Sequence, residues 1–85
     1  MITHLRGTMT FKCPTFVVLE AGGVGYQVFI SLYTYSQLPD TSTIFLLTHQ
    51  FIKEDSHTLY GFSEDKERTL FRLLISVSGV GPTTA

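Results

Sequence analysis

The sequence predicts a mainly β domain: a small five-stranded barrel with a short helix between its third and fourth strands, followed by a C-terminal α-helix. Three observations predict it. Five β-prone runs occupy the chain up to Phe62. They are separated by turn and breaker residues at Pro14, Gly22–Gly23, Pro39 and Glu54–Asp55. After Phe62 the apolar period switches from two to 3.6, the repeat of a helix with one buried face.

Thr3–Thr10, THLRGTMT, has the β-branched content of a strand, with Gly7 at a bulge or bend. Lys-Cys-Pro breaks that run at Pro14. Thr15–Ala21, TFVVLEA, is the strongest strand run and is too continuously apolar for either face to meet water. Gly22–Gly23 supplies a hairpin turn able to take positive φ, and Val24–Ile30 returns with Tyr26, Val28 and Ile30 on one face. Ser31 caps one or two helical turns in which Leu32, Tyr35 and Leu38 share a face, and Pro39 ends them. Ser42–Lys53 is strand again, and Ser56–Phe62 pairs back onto it across Glu54–Asp55. A turn centred on that acidic pair sets His57 opposite Ile52 and His49 opposite Tyr60. The order of elements is that of the OB-fold, a five-stranded Greek-key barrel that often binds oligonucleotides.

Beyond Phe62, Ser63 is the expected N-cap, and Glu64 and Asp65 fall in the first turn, where the helix dipole favours anions. Leu70, Phe71, Leu74 and Val77 make the apolar stripe of a helix from about Glu64 to Val77. Gly79 suits the left-handed residue that closes a helix, and Pro82 suits the first turn of another. Two regions result: an OB-fold domain over 1–62 and a helical segment over 63–85, which the family resemblance described below implies is the truncated start of a helix-hairpin-helix domain.

At 85 residues there is no room for a second full domain. Hydrophobic residues make up 44 % and charged residues only 15 %, so much of the surface expects to be covered by another copy or by further chain. A formal net charge of −1 supplies no bulk attraction to nucleic acid or to an anionic membrane; DNA binding would have to come from local geometry. Cys13 is the one cysteine, which excludes an intrachain disulfide and fits a reducing, cytoplasmic compartment. No segment approaches the ~20 apolar residues of a membrane span, and the N-terminus has no basic flank with an apolar core behind it.

Two glycine clusters invite a nucleotide reading and fail it. GGVGYQ (Gly22–Gln27) leads into a strand, and SGVGP (Ser78–Pro82) follows a helix, whereas the dinucleotide fingerprint needs strand, turn, helix. Helix, Gly-x-Gly, helix is a different arrangement. Its glycines let backbone approach a phosphate, and the amides of the second helix point at it, so Gly79, Val80 and Gly81 are candidates to grip a sugar-phosphate backbone. The competing reading is a plain tight turn between packed helices.

His49, Glu54, Asp55 and His57 do not make a metal site. The register separates the two histidines, and adjacent strand residues point to opposite faces. Neither a cofactor nor catalysis is expected, because no nucleophile, base and orienting group are brought together by the pattern. Phe11, Tyr26, Phe29 and Phe51 are nominal stacking candidates for single-stranded bases, against the commoner use of such residues as core.

LRGT at Leu5–Thr8, GGVGYQV at Gly22–Val28, THQFIKED at Thr48–Asp55, LYGF at Leu59–Phe62, ERTLFRLLI at Glu67–Ile75 and SGVGP at Ser78–Pro82 together resemble the RuvA family of Holliday junction branch migration subunits. The resemblance runs along essentially the whole chain in the right order. It implies a fourfold tetramer that holds four-way junction DNA open and flat in recombination, DNA repair and the SOS response to DNA damage. It further implies an ATP-driven RuvB-type motor and a RuvC-type resolvase as partners, met through regions absent here, with no catalytic role for this subunit. Glu54 and Asp55 would be the acidic pin at the junction centre. Lys53, Gly79, Val80 and Gly81 would lie against phosphates. One departure is Thr83, where the family commonly has Lys. A generic OB-fold module for single-stranded nucleic acid and a protein-interaction adaptor are the alternative functions.

Overall fold

The computed structural model describes residues 2–39, 42–53 and 56–76. Along them run β1 (His4–Lys12), β2 (Phe16–Ala21), β3 (Val24–Ile30), α1 (Leu32–Gln37), β4 (Thr43–Lys53), β5 (Ser56–Phe62) and α2 (Asp65–Ile75). The strands close into a barrel in the order β1-β2-β3-β5-β4. Closure has two parts: β4 lies antiparallel to the first half of β1, and β3 lies parallel to β5. The barrel with its helix after the third strand is the OB-fold that the order of runs predicts.

Strand alternation sorts side chains into an inside and an outside. Leu5, Val17, Leu19, Val28, Ile44 and Leu46 form the buried core, with Met9, Tyr26, Ile30 and Leu59 packed against it. Tyr26, Val28 and Ile30 do share the inner face. The expectation that β2 is covered on both faces holds in part. Val17 and Leu19 are buried inside and Phe16 and Val18 are half-covered outside, but Glu20 is exposed. The outer cover is aromatic, since Phe16 stacks on Phe11 at 5.6 Å between ring centroids and meets Phe29 edge-on at 6.0 Å.

Gly22 and Gly23 take φ of +60° and +81°, the mirror-image turn that suits the twist of a two-residue hairpin. The expected irregularity at Gly7 is displaced. The bulge falls between Met9 and Phe11, where Thr10 has no register partner and its hydroxyl donates to the Val18 carbonyl at 3.4 Å. That extra residue lets β1 continue pairing as far as Lys12. Gly7 instead marks the place where β1 leaves β4 for β2; a Cβ there would stand 2.5 Å from the Glu20 carbonyl oxygen.

Both helices differ from their predicted faces. Ser31 caps α1 by accepting from the Thr34 amide at 3.1 Å, as expected. Of the predicted face Leu38 packs against the core, but Leu32 is 71 % exposed, and the fully buried Thr34 also faces inward. In α2 the N-cap is Glu64, not Ser63. The Ser63 backbone N–H donates to Thr34 Oγ1 at 3.3 Å, and its buried hydroxyl reaches none of the helix amides, so it does not cap. Of the predicted stripe, Phe71 is buried while Leu70 and Leu74 are exposed, and Val77 lies outside the described residues.

Gly61 sits where β5 passes closest to β3. A Cβ on it would meet Val28 Cγ1 at 2.6 Å and Leu46 Cδ1 at 3.2 Å, and both of those side chains are buried and unable to retreat. Gly61→Ala is therefore expected to lower unfolding stability by about 1–3 kcal/mol. Gly25→Ala, whose Cβ would meet only Val18 at an ordinary 3.7 Å, serves as the control and should be tolerated. Urea unfolding followed by circular dichroism measures both; equal midpoints for the two variants would contradict this account of the β3–β5 approach.

Candidate nucleic-acid interface

β4 and β5 are the arms of a long hairpin, in register from Leu47 opposite Phe62 to Lys53 opposite Ser56. Ile52 stands opposite His57 and His49 opposite Tyr60, as a turn on the acidic pair requires. Glu54 and Asp55 are the residues between the two arms in sequence, and they lie outside the described residues, as do Gly79, Val80 and Gly81. Lys53 ends β4. The described residues therefore bring the hairpin arms together up to the acidic pair, and α2 ends at Ile75, before the glycines in sequence.

What the sequence reading missed is the way α2 is fastened. Phe71 inserts into a nest of rings on the outer face of the β4–β5 hairpin, at 5.6 Å from His49, 5.1 Å from Tyr60 and 5.2 Å from Phe62. Arg68 donates to the carbonyls of Thr3 at 2.9 Å and Thr48 at 3.4 Å, and pairs with Asp65 at 3.0 Å. Arg72 Nε donates to His49 Nδ1 at 3.2 Å. These two arginines, a helical turn apart at i and i+4, are turned toward the barrel and hold its own groups. Only their spacing on the Phe71 side of the helix could have signalled that in the sequence.

The His49–Arg72 contact requires the imidazole Nδ1 to be unprotonated, so that it can accept. Burial holds His49 below its ordinary value, and the nearby Arg72 and Arg68 cations push the same way. Burial likewise raises the phenol of Tyr60, its cross-strand neighbour. At the other end of α2, Tyr33 donates to Glu64 at 2.6 Å, and that bond is the chief reason its phenol lies above the usual range.

A row of rings crosses the outer surface from Phe11 through Phe16 and Phe29 to Tyr60, with centroid spacings of 5.6, 6.0 and 6.1 Å. Of the nominal stacking candidates, Phe11 at 53 % and Phe29 at 37 % are exposed, while Tyr26 packs against the core. Phe29, Tyr60, Leu70, Phe71 and Leu74 also line a groove of about 750 Å³ between the barrel and α2. The described cations outside the α2 joint are dispersed. Arg6 lies over the Phe45 ring at 5.3 Å, and Lys12 and Lys66 are exposed. Among the described residues no helix is long and apolar enough to cross a membrane.

Residues 1–61 match the family model described as RuvA N terminal domain. Relatives named Holliday junction branch migration complex subunit RuvA align with the whole of the chain. They are 58 % identical in Christiangramia forsetii, 55 % in Flavobacterium psychrophilum and 51 % in Coxiella burnetii. The chain spans 44 % of the length of the first two and 43 % of the third.

The α2 joint should be sensitive to acid. In the unfolded chain His49 takes up its proton near the ordinary value of about 6.5, and in the folded chain only at lower pH. Its contribution to stability is thus complete above about pH 6.5 and is lost as pH falls through the folded value. The polar groups facing it are the Arg72 and Arg68 cations and the Tyr60 phenol, which burial keeps neutral in this range, so none supplies a negative charge to rescue an imidazolium there. Between about pH 7.5 and about pH 5.5, wild-type melting temperature should fall more steeply than that of His49→Gln, which keeps an acceptor and cannot charge. Parallel pH profiles for the two proteins would show that His49 does not carry the effect.

Proposed function

The chain belongs to the RuvA family, and on that premise we propose that it is the barrel portion of a non-catalytic subunit that recognises four-way DNA junctions and supports branch migration by an ATP-driven partner. One observation carries the reading: every residue of the chain aligns with subunits named for branch migration at Holliday junctions. In this reading four copies assemble around a fourfold axis in the cytoplasm. Residues 1–62 form the OB-fold domain, and 63–85 begin the helical one. The motor and the resolvase are met by regions beyond this chain.

Lys53, Glu54 and Asp55 then gather near the axis, where strands exchange partners. Gly79, Val80 and Gly81 grip a phosphate further out, through amides and not through base contacts. Two features support this division. The β4–β5 ladder holds register to its last pair, Lys53 and Ser56, so the acidic pair is presented from a stiff arm. Arg68 and Arg72 are committed to the barrel, which leaves the phosphate contacts to other groups. A second reading, a single-strand binding module, is favoured by the exposed rings of Phe11 and Phe29 in their row.

Gel-shift titration with a four-way junction, a duplex and a single strand separates these readings. The 85-residue chain should bind junctions feebly, because Pro82 to Ala85 cannot supply the formed second helix that the phosphate amides need. A version extended over the remaining length of its relatives should prefer the junction. Preference for single strand over junction would favour the second reading, and tight junction binding by the short chain at physiological salt would remove the need for the glycine hairpin.

The acids themselves cannot add affinity for DNA. Around a fourfold axis roughly eight carboxylates would crowd the exchange point. With a Debye length of about 8 Å at physiological salt, they repel only the strands nearest them. Their role is to disfavour continuous duplex across the centre. Replacing them together, Glu54→Gln with Asp55→Asn in the extended chain, should raise duplex affinity more than junction affinity. Duplex binding that is unchanged or weaker would reduce the pair to a solvated turn.

A further inference from the structure

The two helices meet through a closed set of hydrogen bonds centred on Glu67. One carboxylate oxygen accepts from the Ser31 hydroxyl and the other from the Thr34 hydroxyl. Each hydroxyl is used twice. Ser31 Oγ also accepts from the Thr34 amide at 3.1 Å, and Thr34 Oγ1 also accepts from the Ser63 amide at 3.3 Å. One turn earlier, the Glu64 carboxylate accepts from Tyr33. Thr34 is fully buried, so its hydroxyl has no water to turn to if Glu67 is removed.

The cluster is placed where it can act on direction. Phe71 fixes α2 to the outside of the barrel at a single point along its length, and a rod held at one point can still swing. Arg68 and Arg72 add contacts to Thr3, Thr48 and His49 on the β4 side. Glu67 adds the contact to α1, on the other side of the helix, so that lateral swing is blocked both ways. The polar residues of α1 and the acids of the first turn of α2 thus serve the joint between the two parts of the chain.

We propose that Glu67, seated on Ser31 and Thr34, is a positioning residue that sets the angle at which α2 leaves the barrel and thereby the placement of the glycine hairpin relative to the acidic pair. The proposal rests on the junction reading for its consequence, since discrimination between a junction and a duplex needs two DNA-contacting elements held at a fixed separation. When such elements are loosely tethered, the second contact loses effective concentration, and a loss on the order of tenfold in junction preference follows.

The test has two independent readouts. Spin labels at Thr10 on β1 and Thr69 on α2, both exposed, are attached through cysteines after Cys13→Ala, in the 85-residue chain. Wild type should give a narrow distance distribution, Glu67→Ala a broadened or shifted one, and Glu67→Gln, which keeps an acceptor toward Thr34, a distribution close to wild type. Thr34→Val approaches the clamp from its other side and should match Glu67→Ala, while Thr34→Ser should restore it. In the extended chain the junction-to-duplex affinity ratio should follow the same order.

An unchanged distribution in Glu67→Ala overturns the proposal. So does a ratio that falls equally in Glu67→Gln and Glu67→Ala, because charge and not position would then be at work. Unfolding of Glu67→Ala, seen as lost β signal in circular dichroism, would also overturn it by making the residue part of the barrel's stability. If the unmutated extended chain binds duplex and junction alike, the junction reading falls and takes the specificity consequence with it, while the label distances still decide whether Glu67 sets the angle.

Discussion

Val28, Phe29 and Ile30 run alongside Leu59, Tyr60 and Gly61 in the same direction, and this short parallel ladder turns an open five-stranded sheet into a barrel. Without it β3 and β5 would each present an unpaired edge, ready to pair with another chain. Because β5 is also antiparallel to β4 along its whole length, it is enclosed on both sides. Its course is therefore fixed, and with it the start of α2 just beyond its end. The close approach needs a residue without a side chain at position 61, which ties the glycine of LYGF to closure instead of to a turn.

The outside of the same hairpin provides the seat for α2. His49, Tyr60 and Phe62 point away from the core and would be an exposed aromatic patch if Phe71 did not cover them. Apolar burial supplies the attraction, and the polar groups around it supply the geometry. Arg68 adds a donor to the Thr3 carbonyl, which already accepts from the Thr48 amide, and to the Thr48 carbonyl, while Glu67 accepts from the buried Thr34 hydroxyl and the exposed Ser31 hydroxyl. Leu70, Leu73 and Leu74 remain exposed on α2, so the helix is apolar on more than the face it buries, as expected of a helix with a second neighbour to pack.

Much of the barrel was legible because its signals are local. Gly22–Gly23 announces its turn by the backbone it must adopt, and the β4–β5 register follows from placing a turn on two adjacent acids. Ser63 misled because capping propensity is local too, while the amide that fixes its position is bonded to Thr34, twenty-nine residues away. Leu32 faces outward and Thr34 inward for the same reason: a six-residue helix is turned by what it touches, and Glu67 needs hydroxyls, not methyls. Gly7 and Thr10 divide a task that the sequence assigned to one residue, since a bulge and a close approach both ask for an irregular strand and pattern cannot tell them apart. Chemistry alone left Gly79–Gly81 between a phosphate grip and a plain tight turn, and Glu54–Asp55 as a solvated turn; family resemblance is what gave both their roles at a junction.

The geometry of β5 bears directly on how repulsion and attraction could coexist in one DNA-binding surface. From Ser56 to Phe62 the strand covers roughly 20 Å at ~3.3 Å per residue, so the start of β5, which follows Asp55 in sequence, and the root of α2 are separated by a stiff spacer. That separation exceeds two Debye lengths at physiological salt, each about 8 Å. If the chain binds junctions as proposed, Glu54 and Asp55 would act on strands at the centre and leave phosphates held beyond α2 almost unaffected. Such a division works only if the spacer and the helix meet at a fixed angle. A flexible joint would let the phosphate contacts slide inward until the acids opposed them, and the net charge of −1 leaves no reserve of positive potential to compensate. Under the junction reading, the proposed clamp at Glu67 would serve the same end as the acidic pair: one would keep charge near the exchange point, and the other would keep the phosphate grip away from it.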